Sequence, residues 1–198
     1  MSFYADAPAE LLYAMPASGG AVTGTVTIGS AAGGPELGST SLPMELPHSY
    51  FSKVGKSLLI EGGGFFTTGS TAPTLKFGIG IDTSVGIVTA NILCSTGAFT
   101  TVASVTDGVF NFRALVTATV LGTAGTLAAV GKLDWGSKTV TTTVGVPSYL
   151  MSPSATSTPF TFNTIQTTPV YIEPFAYWST TSTGPSVTMT NFFVWGLN

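Results

Sequence analysis

The sequence predicts an all-β protein, an antiparallel sandwich of two sheets, and three observations carry that prediction. Thr makes up a sixth of the 198 residues, and with Val, Ile, Phe, Tyr and Trp it tilts local preference toward strands. About ten segments alternate apolar and polar residues with period two, and 24 Gly and 12 Pro punctuate them at the spacing of a sandwich or barrel. No segment pairs a strand with a 10-to-15-residue helical pattern, which removes βαβ folds and parallel sheets.

The first 50 residues form their own region, an extended arm. Pro8, Pro16, Pro35, Pro43 and Pro47 are spread through Gly-rich stretches, and only Val22–Ile28 reads as a strand. Ala9–Met15 is the one segment in which Leu11, Leu12 and Met15 could share a helical turn, closely bounded by Pro8 and Pro16. Fully extended, such an arm reaches up to roughly 160 Å. It can lie across a neighbouring subunit or wrap its own sandwich and add edge strands.

Residues 51–198 form the sandwich domain. Its first strand is Ser57–Glu61. The clearest is Thr74–Ile81, where Leu75, Phe77, Ile79 and Ile81 alternate with Thr, Lys and Gly, so that one face is buried and the other is wet or thinly packed. Ile87–Leu93 follows, then Phe110–Val120, whose even-numbered residues from Phe110 to Val120 share one face against Asn111, Arg113, Thr117 and Thr119. Thr126–Lys132, Lys138–Val146, Phe160–Ile165, Val170–Trp178 and Ser186–Trp195 complete the set. Pro73, Pro159 and Pro185 each stand at a strand entry, where the missing amide hydrogen costs no ladder bond.

Charge is the compositional anomaly: 6 Lys plus Arg and 9 Asp plus Glu, only 8% of the chain, where about 25% is usual. The apolar runs are three or four residues long, far short of the about 20 that a spanning helix needs, and the aromatic content is too high for disorder. A net charge of −3 supplies no basic field, so neither nucleic acid nor an anionic membrane is an expected partner. The N-terminal stretch has no basic region followed by an apolar run, so a secretory signal is not expected. Cys94 has no second cysteine to bond and reads as a small buried apolar residue.

The inventory for catalysis is thin. His48 is the only histidine, with no Gly-x-Ser-x-Gly elbow in reach, and fits a surface or interface role better than a triad. One His and one Cys, far apart, make no metal-ligand cluster. Asp82, Asp107 and Asp134 stand at apparent strand ends, where Asp closes turns. Glu61 and Glu173 interrupt strands, and Pro174 after Glu173 suggests a bulge or an edge. Gly62-Gly63-Gly64 and Gly78-x-Gly80 lack the helix and Lys-Ser/Thr pair of a phosphate loop, and serve close backbone approach or bending instead. No enzyme activity and no cofactor are expected. Tyr171, Phe175, Tyr177 and Trp178 are the densest aromatic group, followed by Phe192, Phe193 and Trp195; both suit a sandwich core or a subunit interface more than a sugar platform.

Tyr50-Phe51-Ser52, Gly55-Lys56-Ser57-Leu58-Leu59-Ile60, Gly62, and then Thr67 through Phe77 resemble structural proteins of tailed bacteriophages, as does the turn Gly122-Thr123-Ala124-Gly125-Thr126. The resemblance covers about residues 42–198. It implies a Pro-containing arm leading into a jelly-roll-like sandwich, with a long central strand before the Gly-Thr-x-Gly-Thr turn. It further implies a virion component made in the host cytoplasm.

The function expected is therefore a non-enzymatic capsid decoration protein at the capsid surface, in contact with the major capsid protein or with identical subunits, and trimeric by analogy with capsid symmetry. The alternative is a tail, baseplate or fibre module, with glycan binding through exposed aromatics. The candidate interaction residues are Pro43, Pro47, His48, Tyr50, Phe51, Tyr171, Tyr177 and Trp178. Charge depletion suits a surface that other subunits cover, since interface cores are poor in charged residues.

Overall fold

A computed structural model describes residues 9–14, 26–28, 44–47, 49–83, 92–137, 147–153, 160–165, 168–178 and 185–197. Every regular element among them is a strand: β1 (Glu10–Ala14), β2 (Val26–Ile28), β3 (Met44–Leu46), β4 (Ser57–Thr67), β5 (Thr74–Asp82), β6 (Ile92–Ser95), β7 (Phe99–Thr100), β8 (Gly108–Val120), β9 (Gly125–Ser137), β10 (Ser148–Met151), β11 (Phe160–Phe162), β12 (Val170–Trp178) and β13 (Ser186–Leu197). They make two antiparallel sheets. The large sheet runs β1-β13-β4-β8-β9-β10, with β2 also on β13 and β11 also on β9. The small sheet runs β3-β12-β5-β6, with β7 also on β5. The chain crosses between sheets on either side of β3, from β4 to β5, from β7 to β8, and again on either side of β12. These crossings make the sandwich jelly-roll-like.

The core lies between the sheets and is built by alternation. On β8 the even residues from Phe110 to Ala118 are buried; on β5 Leu75, Phe77, Ile79 and Ile81 are fully buried. Aromatic rings join the layers: Phe77 lies 5.0 Å from Phe112 and 5.9 Å from Phe110, and Trp135 of the large sheet meets Trp178 of the small one edge-on at 6.1 Å. Phe66 stacks on Trp135 at 3.6 Å. Contacts of this kind add to the burial that drives the two sheets together.

Four strand pairs carry a register shift, and those on β8 and β13 reset the alternation of a long strand. Val120 is turned outward, contrary to the expectation that it shares the Phe110 face, because the β8–β9 register shifts between Ala118 and Val120. On β13 the shift falls between Met189 and Asn191, so Thr190 is the extra residue and its hydroxyl reaches the Gly63 carbonyl at 3.3 Å. Val187 and Met189 point inward before the bulge, Phe192 and Val194 after it.

β4 does not stop at Glu61 but continues through the three glycines to Thr67. A Cβ on Gly62 would sit 2.7 Å from the Phe112 ring and 2.8 Å from the Asn191 carbonyl oxygen. The glycines therefore let β4 lie close between β13 and β8, opposite the bulge. Gly78 does the same on β5, where a Cβ would come within 2.7 Å of the Phe175 ring. The turn at residues 122–126 joins β8 to β9 as the resemblance implies: Gly122 has φ 120° and its carbonyl accepts from the Gly125 amide at 3.1 Å.

Within the span Ala9–Met15, Glu10–Ala14 is not a helical turn but a strand paired with β13, and Met15 lies outside the described residues. β2 also pairs with β13, and β3 with β12. The strand expected at Lys138–Val146, the entry at Pro159 and most of Ile87–Leu93 lie outside the described residues. Pro73 and Pro185 do precede strands, β5 and β13. Asp134 lies within β9, not at its end, while Asp107 immediately precedes β8 and accepts a hydrogen bond from Ser137 Oγ at 2.7 Å. The β12–β5 register passes Glu173 and Pro174 without a bulge. Pairing with β3 covers only Val170–Ile172, which leaves Pro174 on a stretch where no described strand needs its missing amide hydrogen.

Candidate functional site: the outer face of the large sheet

The face of the large sheet turned away from the core carries a row of apolar side chains across five strands. In register, Leu11 of β1 stands beside Trp195 of β13, Trp195 beside Leu59 of β4, Leu59 beside Leu115 of β8, and Leu115 beside Val130 of β9. At about 4.8 Å between strands the row is roughly 19 Å long. Phe65 and Val109 form a second apolar pair on the same face, and Phe193 and Leu150 flank it. Within the row Leu11, Leu115 and Val130 are exposed, while Trp195 and Leu59 are half-buried; beside it Phe65 is 55% and Leu150 70% exposed. Scattered apolar residues are normal on a surface, whereas a contiguous row of this kind marks a contact site.

The charges on this face neutralise one another. In the row beside the apolar one, Phe193, Glu61, Arg113, Lys132 and Leu150 are register neighbours. Arg113 Nε lies 3.2 Å from Glu61, and Lys132 Nζ 3.0 Å from Asp134. Both pairs are exposed, so they add little stability. Their consequence is a face without net charge, since each cation has its anion within a salt-bridge distance.

The residues singled out in the sequence lie elsewhere. Pro43 and His48 fall outside the described residues. Pro47 is exposed and its carbonyl accepts from the Tyr50 amide at 3.0 Å, closing a turn in which Ser49 has φ 54°. Tyr50 and Phe51 are buried, edge to face at 5.2 Å. Tyr50 Oη donates to the Ser57 carbonyl at 2.9 Å, and the Lys56 ammonium lies 4.3 Å from its ring centre. Burial pushes the Tyr50 phenol up to about 12, beyond what a backbone hydrogen bond at Leu197 offsets. These residues fasten the entry of β4.

Trp178, also proposed as an interaction residue, is a core residue with 1% exposure. Tyr171 and Tyr177 are half-buried on the face of β12 away from the core, level with Asp82 and Lys76. They stand six positions apart along the strand, about 20 Å, and Glu173 and Phe175 between them are buried, so Tyr171, Tyr177 and Trp178 do not form one platform. A dent between Pro47, Tyr50, Phe51, Phe162, Thr164 and Val170 has a volume of about 10 Å³. That is room for about one water, where ligand sites span hundreds of Å³. Cys94 is buried and its thiol is pushed up to about 12 by desolvation, which makes it inert at neutral pH.

The apolar row was not among the sequence-derived candidates. Its one visible signal was Leu115, an apolar residue among the polar outward positions of β8. A single strand shows one such residue, and only the register of five strands assembles them.

No protein-family model matches the chain, and neither does any curated protein. Among solved structures, the CBM2 module of Lactobacillus casei BL23 phage J-1 evolved Dit aligns over 96% of this chain and 97% of that one, at 10% identity and a TM-score of 0.40.

Proposed function

We propose that the chain is a non-enzymatic structural protein of a tailed-phage particle, held in place through the outer face of its large sheet. The observation that carries this reading is the apolar row Leu11–Trp195–Leu59–Leu115–Val130 on the outer face, with Leu11, Leu115 and Val130 exposed and Trp195 and Leu59 half-buried. A face like this gains free energy when another subunit covers it and needs no charge to do so. The sequence resemblance to phage structural proteins supplies the kind of assembly.

Capsid decoration and a tail, baseplate or fibre role draw on the same surface chemistry. Quantitative mass spectrometry of purified heads and purified tails, each washed at about 1 M salt, tests the reading and separates the two placements. Apolar contacts persist where exposed ion pairs are screened, so the protein is expected in one fraction after the wash. Its absence from both fractions, or its release by salt alone, overturns the proposal.

A further inference from the structure

We propose that a second copy of this chain covers the outer face of the large sheet, related to the first by a two-fold axis running between β4 and β8 and parallel to them. The inference rests on the assembly reading of that face. Such an axis lays β4 of one copy over β8 of the other, at the same level along the strands. Each outward residue then faces the copy of its own cross-strand neighbour. Leu59 meets Leu115, Phe65 meets Val109, and Glu61 meets Arg113. The pairs that match within one chain match again between chains, including opposite charge against opposite charge.

One strand further out, Trp195 comes over Val130, and Asn191 over Asp134, an amide donor above a carboxylate. A two-fold axis perpendicular to the strands and centred on the apolar row does worse. It lays the Glu61–Arg113 row over Ser57 and Thr117, which already hydrogen-bond to each other at 2.7 Å. Aligned sheets pack about 10 Å apart and about 30° off parallel, so the match is best near the axis and drifts toward the edges. Four strands about 4.8 Å apart and eleven residues long present roughly 700 Å² per copy. A stable interface has about 800 Å² per partner, which β1 and β10 bring within reach.

The test uses the full-length chain. Sedimentation equilibrium is expected to give a dimer, and Leu115→Arg a folded monomer by near-ultraviolet dichroism, with dissociation at least about tenfold easier. Arg113→Glu sets Glu against the partner's Glu61 and weakens the dimer, while Glu61→Arg combined with Arg113→Glu restores it. Placement of the axis is read by a bis-maleimide of about 8 Å span on the Phe193→Cys/Lys132→Cys double variant. Those positions lie three strands apart in one chain, about 14 Å, but face each other across the proposed axis. Buried Cys94 stays silent. Efficient coupling of two chains in the double variant, and not in either single variant, is the expected result. A monomeric wild type, or coupling as efficient in the single variants, overturns the proposal. If the protein is found in purified particles without this crosslink, the two-fold stack fails and the structural role stands; if the dimer forms and particles lack the protein, the reverse holds.

Discussion

Along the middle of β5 and β12 the small sheet is buried on both faces, whereas the large sheet is buried on one. In β5 the inward residues Leu75, Phe77, Ile79 and Ile81 are buried, and so are Gly78 and Gly80 on the other side. In β12, Glu173 and Phe175 are buried on the far side as well as Ile172 and Ala176 on the near side. β8 and β9 of the large sheet instead alternate buried and open along most of their length. The two sheets are made of similar residues, so composition does not separate them. What differs is that the large sheet keeps apolar side chains where solvent reaches them, and that is where a partner adds most.

The largest test of this contrast compares two phenylalanines. Phe77→Ala removes a ring packed on Phe110 and Phe112 and should lower stability by about 3–5 kcal/mol in denaturant titration. Phe65→Ala, on the open face, should cost the isolated chain less than about 1 kcal/mol. Equal losses would mean that the open face is already covered within one chain.

An alkaline titration gives the next effect. The folded-state values of Cys94 and Tyr50 are both raised to about 12, from 9.0 and 10.0. Their neutral forms are favoured by folding, so stability is intact below pH 9 and falls as pH rises toward 12. The loss is about 1.4 kcal/mol per pH unit for each group within its window. Cys94→Ala should delay the onset from pH 9 to pH 10 in urea midpoints measured across the range. An unchanged onset would show that the Cys94 thiolate is not what the small sheet resists.

The smallest effect concerns the ion pairs. Arg113→Ala should leave the stability of the monomer within about 0.5 kcal/mol, because the Arg113 side chain is 67% exposed. A larger loss would mean that this pair holds β4 to β8 within the chain.

Much of the sandwich was legible because period-two alternation survives in single strands. Val170–Trp178 matches its expected bounds, and Phe110–Val120 and Thr74–Ile81 need only small extensions. The differences have specific causes. Glu10–Ala14 became a strand because β13 offered an open edge, which outweighs a weak helical pattern in five residues. β4 ran through three glycines because close neighbours on both sides exclude larger residues, a tertiary demand that no local propensity reports. Val120 faces outward because one bulge lies ahead of it.

The candidate site was less legible than the fold. Aromatic density drew attention to Tyr171, Tyr177 and Trp178, and density does not tell core from surface. The row at Leu59, Leu115 and Val130 holds no aromatic residue on its three central strands. It exists only once those strands are aligned, and alignment is set by the whole sheet.

The bulge at Thr190 has a consequence in terms of sequence change. It is a single inserted residue on β13. Loss of the Thr190 codon joins Met189 to Asn191, and plain alternation then keeps Phe192 and Val194 toward the core and Phe193 and Trp195 on the outer face. The strand thus carries one residue of slack at this position. An in-frame deletion of that codon would leave the burial pattern of the final seven strand residues as it is.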